Sequence, residues 1–199
     1  MKKRFIIIAL LLSSFMFFSI MLISCVTGQP KYTPKPYYYF KEEQFNENYQ
    51  KWKELNISDY SFVWEIYGAT PNVTIYGSVT RRGEEFSVEI TYDEEHYRDE
   101  RMKKRIPKEG DATYMTSIDD AFNLIKSTYA TQKELFDKGE LFSVTASVNY
   151  DKQCFFPEYA SVDTEEEWDY VEEADGVYVA PDGKRPELSF GITKFEILK

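Results

Sequence analysis

The chain of 199 residues has a single histidine, His96, and only two cysteines, Cys25 and Cys154. So small a stock of imidazole and thiolate leaves almost nothing from which to build a transition-metal site, and no cofactor is expected. A Gly-x-Ser-x-Gly elbow is missing too, and any serine triad would have to use His96. Nine glycines and eight prolines are too few for a low-complexity chain, and 17% aromatic content argues against disorder. Positive charge is the scarcer sign. With 24 Lys and Arg against 34 Asp and Glu, the formal charge is −10, which disfavours nucleic acid because polyphosphate binding needs excess Lys and Arg. The length suits one domain, two at the outside.

What the chain does have is a conspicuous N-terminus. Met1-Lys2-Lys3-Arg4 is basic, and residues 5–24 form an uncharged, mostly apolar run. At about 1.5 Å per helical residue such a run spans roughly 30 Å, the thickness of a bilayer core. It reads as an uncleaved anchor or as a removable signal. Leu22-Ile23-Ser24-Cys25 decides for the second, because it resembles the bacterial lipobox: an aliphatic residue, two tolerant positions of which the second is small, then Cys. The resemblance implies cleavage between Ser24 and Cys25, a diacylated Cys25 sulfur, and a lipid bilayer as the partner held through that group. Removal of residues 1–24 would take three basic residues and no acids, leaving 175 residues with a formal charge of −13. A chain of that size buries roughly 70% of its extended surface, enough for one core without staples. Residues 25–40 then read as acylated Cys and a Pro- and Tyr-rich tether, whose extended form reaches about 30–35 Å, and 41–199 as a single domain. Cys154 would be the one remaining thiol, expected to be buried beside Phe155 and Phe156.

Within 42–55, Phe45, Tyr49 and Trp52 recur at helical spacing, and Asn56-Ile57-Ser58-Asp59 stops the helix. Tyr60, Phe62, Trp64 and Ile66 alternate as a strand; Val73, Ile75, Gly77 and Val79 make a second. Arg82-Gly83 is a tight connection to a third, with Phe86, Val88, Ile90 and Tyr92 on one face. Residues 93–115 read as a long loop. Thr116 and Ser117 before Asp119 and Asp120 form a capping-box-like start to a helix carrying Ile118, Ala121, Phe122, Ile125 and Tyr129, closed near Gly139. Strands follow at 142–150, 156–162 and 188–198, the last shifting its apolar phase between Ile192 and Phe195 as a bulge would. The expectation is an α+β fold of two layers, with two amphipathic helices packed on an antiparallel sheet of about six strands, in the order helix, three strands, helix, three strands.

This order, with its short motifs, resembles a bacterial family common in lipoproteins and designated only as domain of unknown function six-one-seven-four. The matching features are the Trp52 helix running into Tyr60-Ser61-Phe62, the Thr116-Ser117-Ile118-Asp119 helix start, Tyr150-Asp151, and Pro157 followed by Ala160, Val162 and Asp163. They cover about 45–198. The family has no assigned catalytic residues, so the resemblance carries none over.

Candidate chemistry is sparse. His96 with Asp93, Glu94 and Glu95 reads as a solvated loop, since four adjacent residues cannot all point at one centre. Asp119 and Asp120 diverge by about 100° around their helix and fit helix-start electrostatics better than an acid/base pair. Residues 163–182 hold nine carboxylates and no Lys or Arg, without calcium-loop spacing, and read as a solvated insertion. The basic run Arg98, Arg101, Lys103, Lys104, Arg105 and Lys108 is expected to lie near that acidic segment and be neutralised. Tyr37-Tyr38-Tyr39-Phe40 reads as cover for the first helix, or else as a binding strip; Tyr37, Tyr38, Tyr39 and Trp168 are the candidate partner contacts. The function expected is a non-catalytic, membrane-anchored module that binds an envelope protein or component outside the cytoplasm. The alternatives are a structural envelope protein without a ligand and a hydrolase using His96 or Cys154.

Overall fold

The computed structural model describes residues 35–67, 74–166, 171–172, 178–179 and 185–199. Cys25, Ser24 and Trp168 lie outside them, as does most of the acidic segment. The elements of the main unit are β1 (Tyr37–Tyr39), α1 (Glu42–Glu54), β2 (Asp59–Tyr67), β3 (Thr74–Arg82), β4 (Glu85–Tyr92), a 3-10 turn (His96–Arg98), α2 (Glu100–Lys103), α3 (Ile118–Asp137), β5 (Ser143–Tyr150) and β6 (Pro157–Glu165). Next come β7 (Val171–Glu172) and β8 (Tyr178–Val179), which pair antiparallel in a second compact unit, and then β9 (Arg185–Ile197) in the main one.

The α+β architecture is as expected, but the sheet has seven strands in the order β1-β5-β6-β9-β2-β3-β4 and is mixed, not purely antiparallel. The added strand is β1, which the tyrosine run supplies. Tyr37, Tyr38 and Tyr39 pair parallel with Ser143, Val144 and Thr145. Three consecutive aromatics have high strand propensity but no alternation of polarity, so period-two patterning does not reveal them. The other strands form two antiparallel meanders, β2-β3-β4 and β5-β6-β9, joined where β9 runs antiparallel to β2. The 93–115 stretch is not all loop, for it contains the 3-10 turn and the four-residue α2, whose start is capped by the Asp99 carboxylate accepting from the Arg101 amide.

Helix boundaries follow their local chemistry. At the start of α3 the Ser117 hydroxyl accepts from the Asp120 amide at 3.1 Å, while the Asp120 carboxylate accepts from the Thr116 amide and hydroxyl, both at 2.8 Å. This is the reciprocal arrangement that satisfies donors a helix N-terminus leaves open. At its end Gly139, at φ +78°, lets its amide reach the Phe136 carbonyl and the Glu140 amide reach Leu135, a Schellman closure. The expected phase shift in the last strand is a bulge. Ser61 faces Glu196 but Val63 faces Thr193, so Lys194 and Phe195 together oppose Phe62, with Lys194 at φ +52°.

Both long helices are amphipathic, and their apolar stripes share one core with the inward face of the sheet. That core gathers Phe45 and Trp52 from α1, Ile118, Phe122 and Ile125 from α3, and Phe62, Trp64, Val79, Val144, Val162 and Phe190 from the strands. Trp64 is fully buried, and its indole N–H donates to the Met115 carbonyl at 2.9 Å. No helix among the described residues is long and apolar enough to cross a membrane.

Candidate functional site

Strand alternation splits the sheet residues into two sets. Those opposite the core set, on the second face, are for the most part small, hydroxylic, acidic or tyrosine, with Val63, Arg82 and Asn149 as exceptions. Register aligns Asn149, Tyr159, Gly191, Glu65, Tyr76 and Thr91 in one row across β5, β6, β9, β2, β3 and β4. At the middle of this row the Glu65 carboxylate accepts from the Tyr67 hydroxyl at 3.1 Å and from the Thr193 hydroxyl at 3.2 Å. Tyr67 and Tyr159 lie with ring centroids 6.2 Å apart, and the Tyr159 and Ser189 hydroxyls are 3.2 Å from each other. Gly191 makes this arrangement fit, because a Cβ there would sit 2.8 Å from the Tyr67 hydroxyl oxygen. Tyr76 and Tyr159 remain exposed at 39% and 38%. The result is a shallow platform of rings around a carboxylate whose orientation is fixed by two hydroxyl donors. It offers flat apolar contact and hydrogen-bond acceptors, the combination that gives tyrosine-rich surfaces their binding capacity.

Burial and the neighbouring Glu65 charge push the Tyr67 phenol up to about 12. A phenol raised in the folded state favours folding while protonated, so its contribution is complete below the ordinary value near 10 and is lost as pH climbs through 12. Tyr60, Tyr129 and the partly buried Tyr150 are raised in the same direction, chiefly by burial. Alkaline unfolding is therefore expected above about pH 10, with Tyr67→Phe retaining more of its own neutral-pH stability there than the parent does. Unfolding curves at pH 8 and pH 11 check this; equal fractional losses in the two proteins contradict it.

The residues singled out from sequence are distributed differently. Tyr38 faces the helices, edge-on to Phe136 at 5.6 Å with the Lys133 ammonium 4.3 Å from its ring centroid. Phe40 packs on Phe45 and Tyr129, so it alone of the four aromatics covers α1. Tyr37 and Tyr39 alternate to the second sheet face and are 41% and 50% exposed. Asp120 is spent on the α3 cap, and Asp119 accepts from the Lys53 ammonium at 3.3 Å, so this pair is structural. His96 opens the 3-10 turn, and just before it the Asp93 carboxylate accepts from the Glu95 amide.

Cys154 is half-buried against the core after β5, and burial together with Asp151 raises its thiol. That is the opposite of the lowered value that activates a nucleophilic cysteine. The strands leading to Cys154 and to His96, β5 and β4, stand five strand spacings apart, about 24 Å. The two residues offered for hydrolysis are therefore not brought together. Among the described residues no three His, Cys, Asp or Glu side chains gather as a cation-binding group. A concavity of about 650 Å³ between 109–116 and α3 contains Asp120, already committed to the helix cap.

The platform is legible in the sequence only in part. Alternation in β2 assigns Glu65 and Tyr67 to the non-core face, and a glycine inside the last strand marks a close approach. That Gly191 stands opposite Glu65 depends on the β9–β2 pairing, which no local pattern encodes. No family model, no curated protein and no solved structure matches the chain.

Proposed function

We propose that the protein is a lipid-anchored, extracytoplasmic binding module, non-catalytic, that takes an envelope protein or component on the face of its sheet opposite α1 and α3. The observation that supports this most is the tyrosine platform around Glu65, in which Tyr67, Tyr76 and Tyr159 frame a carboxylate held by two hydroxyls. Exposed Tyr37 and Tyr39 on β1 extend the same face toward one sheet edge. Aromatic residues on an open, rigid sheet give large contact area at little cost in side-chain ordering. The anchor rests on Leu22-Ile23-Ser24-Cys25 after a basic start and an apolar run, and two acyl chains are sufficient for stable attachment.

A photo-crosslinking residue placed at Tyr76 is expected to capture one abundant partner in intact cells. The same residue at exposed Asn123 on α3 should capture little of it, and Glu65→Gln should reduce the Tyr76 adduct several-fold. Equal yields from the two positions, or none from Tyr76, would overturn the assignment of this face.

A further inference from the structure

We propose that the outer edge of β5 beyond Thr145 is a second binding site, separate from the tyrosine platform, which takes an extended, uncharged peptide segment of a partner protein as an added strand. β1 covers only the first part of this edge, pairing Tyr37, Tyr38 and Tyr39 with Ser143, Val144 and Thr145. After Tyr39 the chain leaves the sheet for α1, while β5 runs on to Tyr150. Among the described residues Ala146–Tyr150 has β6 as its one strand partner, so its other side carries none.

Alternation tells which groups stand open. In a strand the backbone groups of successive residues point to opposite neighbours. The Tyr37 amide donates to the Phe142 carbonyl at 3.2 Å, and with the β1 register this turns the even-numbered backbone groups of β5 toward the edge. Beyond the last β1 pair these are the Ala146 carbonyl and the Val148 amide and carbonyl. Open donors and acceptors at strand spacing call for a partner that supplies both in the same rhythm, as an extended polypeptide does. The first part of the edge already holds such a chain in β1.

The site is also enclosed. A concavity of about 290 Å³ lies between the edge and the start of α1, lined by Tyr39, Phe40, Gln44 and residues 146–150, with Lys41 the one charged lining residue. Glu42 and Glu43 in the adjoining first turn offset that charge, so the groove suits an uncharged occupant. Its two walls differ. Phe40, Val148 and Tyr150 pack against the core, whereas Ser147 and Asn149 are exposed. An added strand alternates its side chains in the same way, so the segment that fits alternates apolar and polar residues. The opposite edge of the sheet is different. There β4 carries exposed Glu85 and Glu89, charges of the kind that guard a free edge against pairing. Residues 146–150 contain neither charge nor proline.

The test selects decapeptides from a random display library on the purified full-length protein. The enriched peptides are expected to be uncharged and to alternate in polarity. At saturation they should slow hydrogen exchange of the Val148 amide in the parent protein. N-methylation of every second peptide amide should abolish binding while methylation of the intervening ones is tolerated, the signature of a strand paired along one side. Val148→Pro removes the open donor at an edge position where a sheet tolerates proline, and should weaken binding about tenfold. The two measurements on the parent protein decide alone if that variant does not fold. Failure to enrich any peptide, unchanged Val148 exchange at saturation, or equal sensitivity to methylation at every position overturns the site.

Discussion

Gly77→Ala is expected to lower the unfolding free energy by about 3 kcal/mol and the melting temperature by on the order of 10 °C, although alanine ordinarily stabilises a strand interior over glycine. The reason is Trp64. Gly77 faces it directly across β2 and β3, and a Cβ built on Gly77 falls within the indole at Cε2 and Cζ2. The indole cannot retreat easily, because it is fully buried and its N–H is committed to the Met115 carbonyl. Moving it would open a void and leave a buried donor and acceptor unpaired, each worth roughly 1–3 kcal/mol. Valine at the same position should cost more. Ser78→Ala, one residue along on the exposed face, is the control and should change stability by no more than about 0.5 kcal/mol. Denaturant unfolding of the three variants checks the prediction; a Gly77→Ala protein as stable as the parent would show that Trp64 does not lie over Gly77.

The second large effect is on the anchor. Cys25→Ser is expected to abolish acyl labelling and to leave the precursor uncut, with residues 1–24 still attached. Thioether formation needs a thiol, and a serine hydroxyl does not replace it. Each acyl chain lost removes roughly 10 kcal/mol of membrane attachment at about 0.8 kcal/mol per methylene. The variant should therefore remain membrane-associated only through its apolar N-terminal run, and a protease that trims that run should release the domain. Pulse labelling with fatty acid and gel mobility report both changes. A Cys25→Ser protein processed and labelled like the parent contradicts the lipobox reading.

How far local information reaches differs from element to element. Core strands are legible because Tyr60, Phe62 and Trp64 alternate with Ser61, Val63 and Glu65, and these three aromatics are all buried. The α3 start is legible because its cap is written within five residues, 116–120. β1 is hidden, since three tyrosines in a row have no periodicity and its partner β5 is over a hundred residues away. The last meander strand shows its bulge in the spacing of Ile192 and Phe195, yet its placement beside β2 cannot be read. Four exposed aromatics on the second face, Tyr37, Tyr39, Tyr76 and Tyr159, come from three different strands and become one surface only through pairing. Chemistry assembled across strands is invisible to spacing along one of them.

Mass analysis of the N-terminal peptide of the protein extracted from native membranes tests the anchored binding module most directly. The account predicts a peptide beginning at Cys25 and heavier by a thioether-linked diacylglycerol. A membrane-bound chain that still begins at Met1, with an unmodified Cys25, would contradict it.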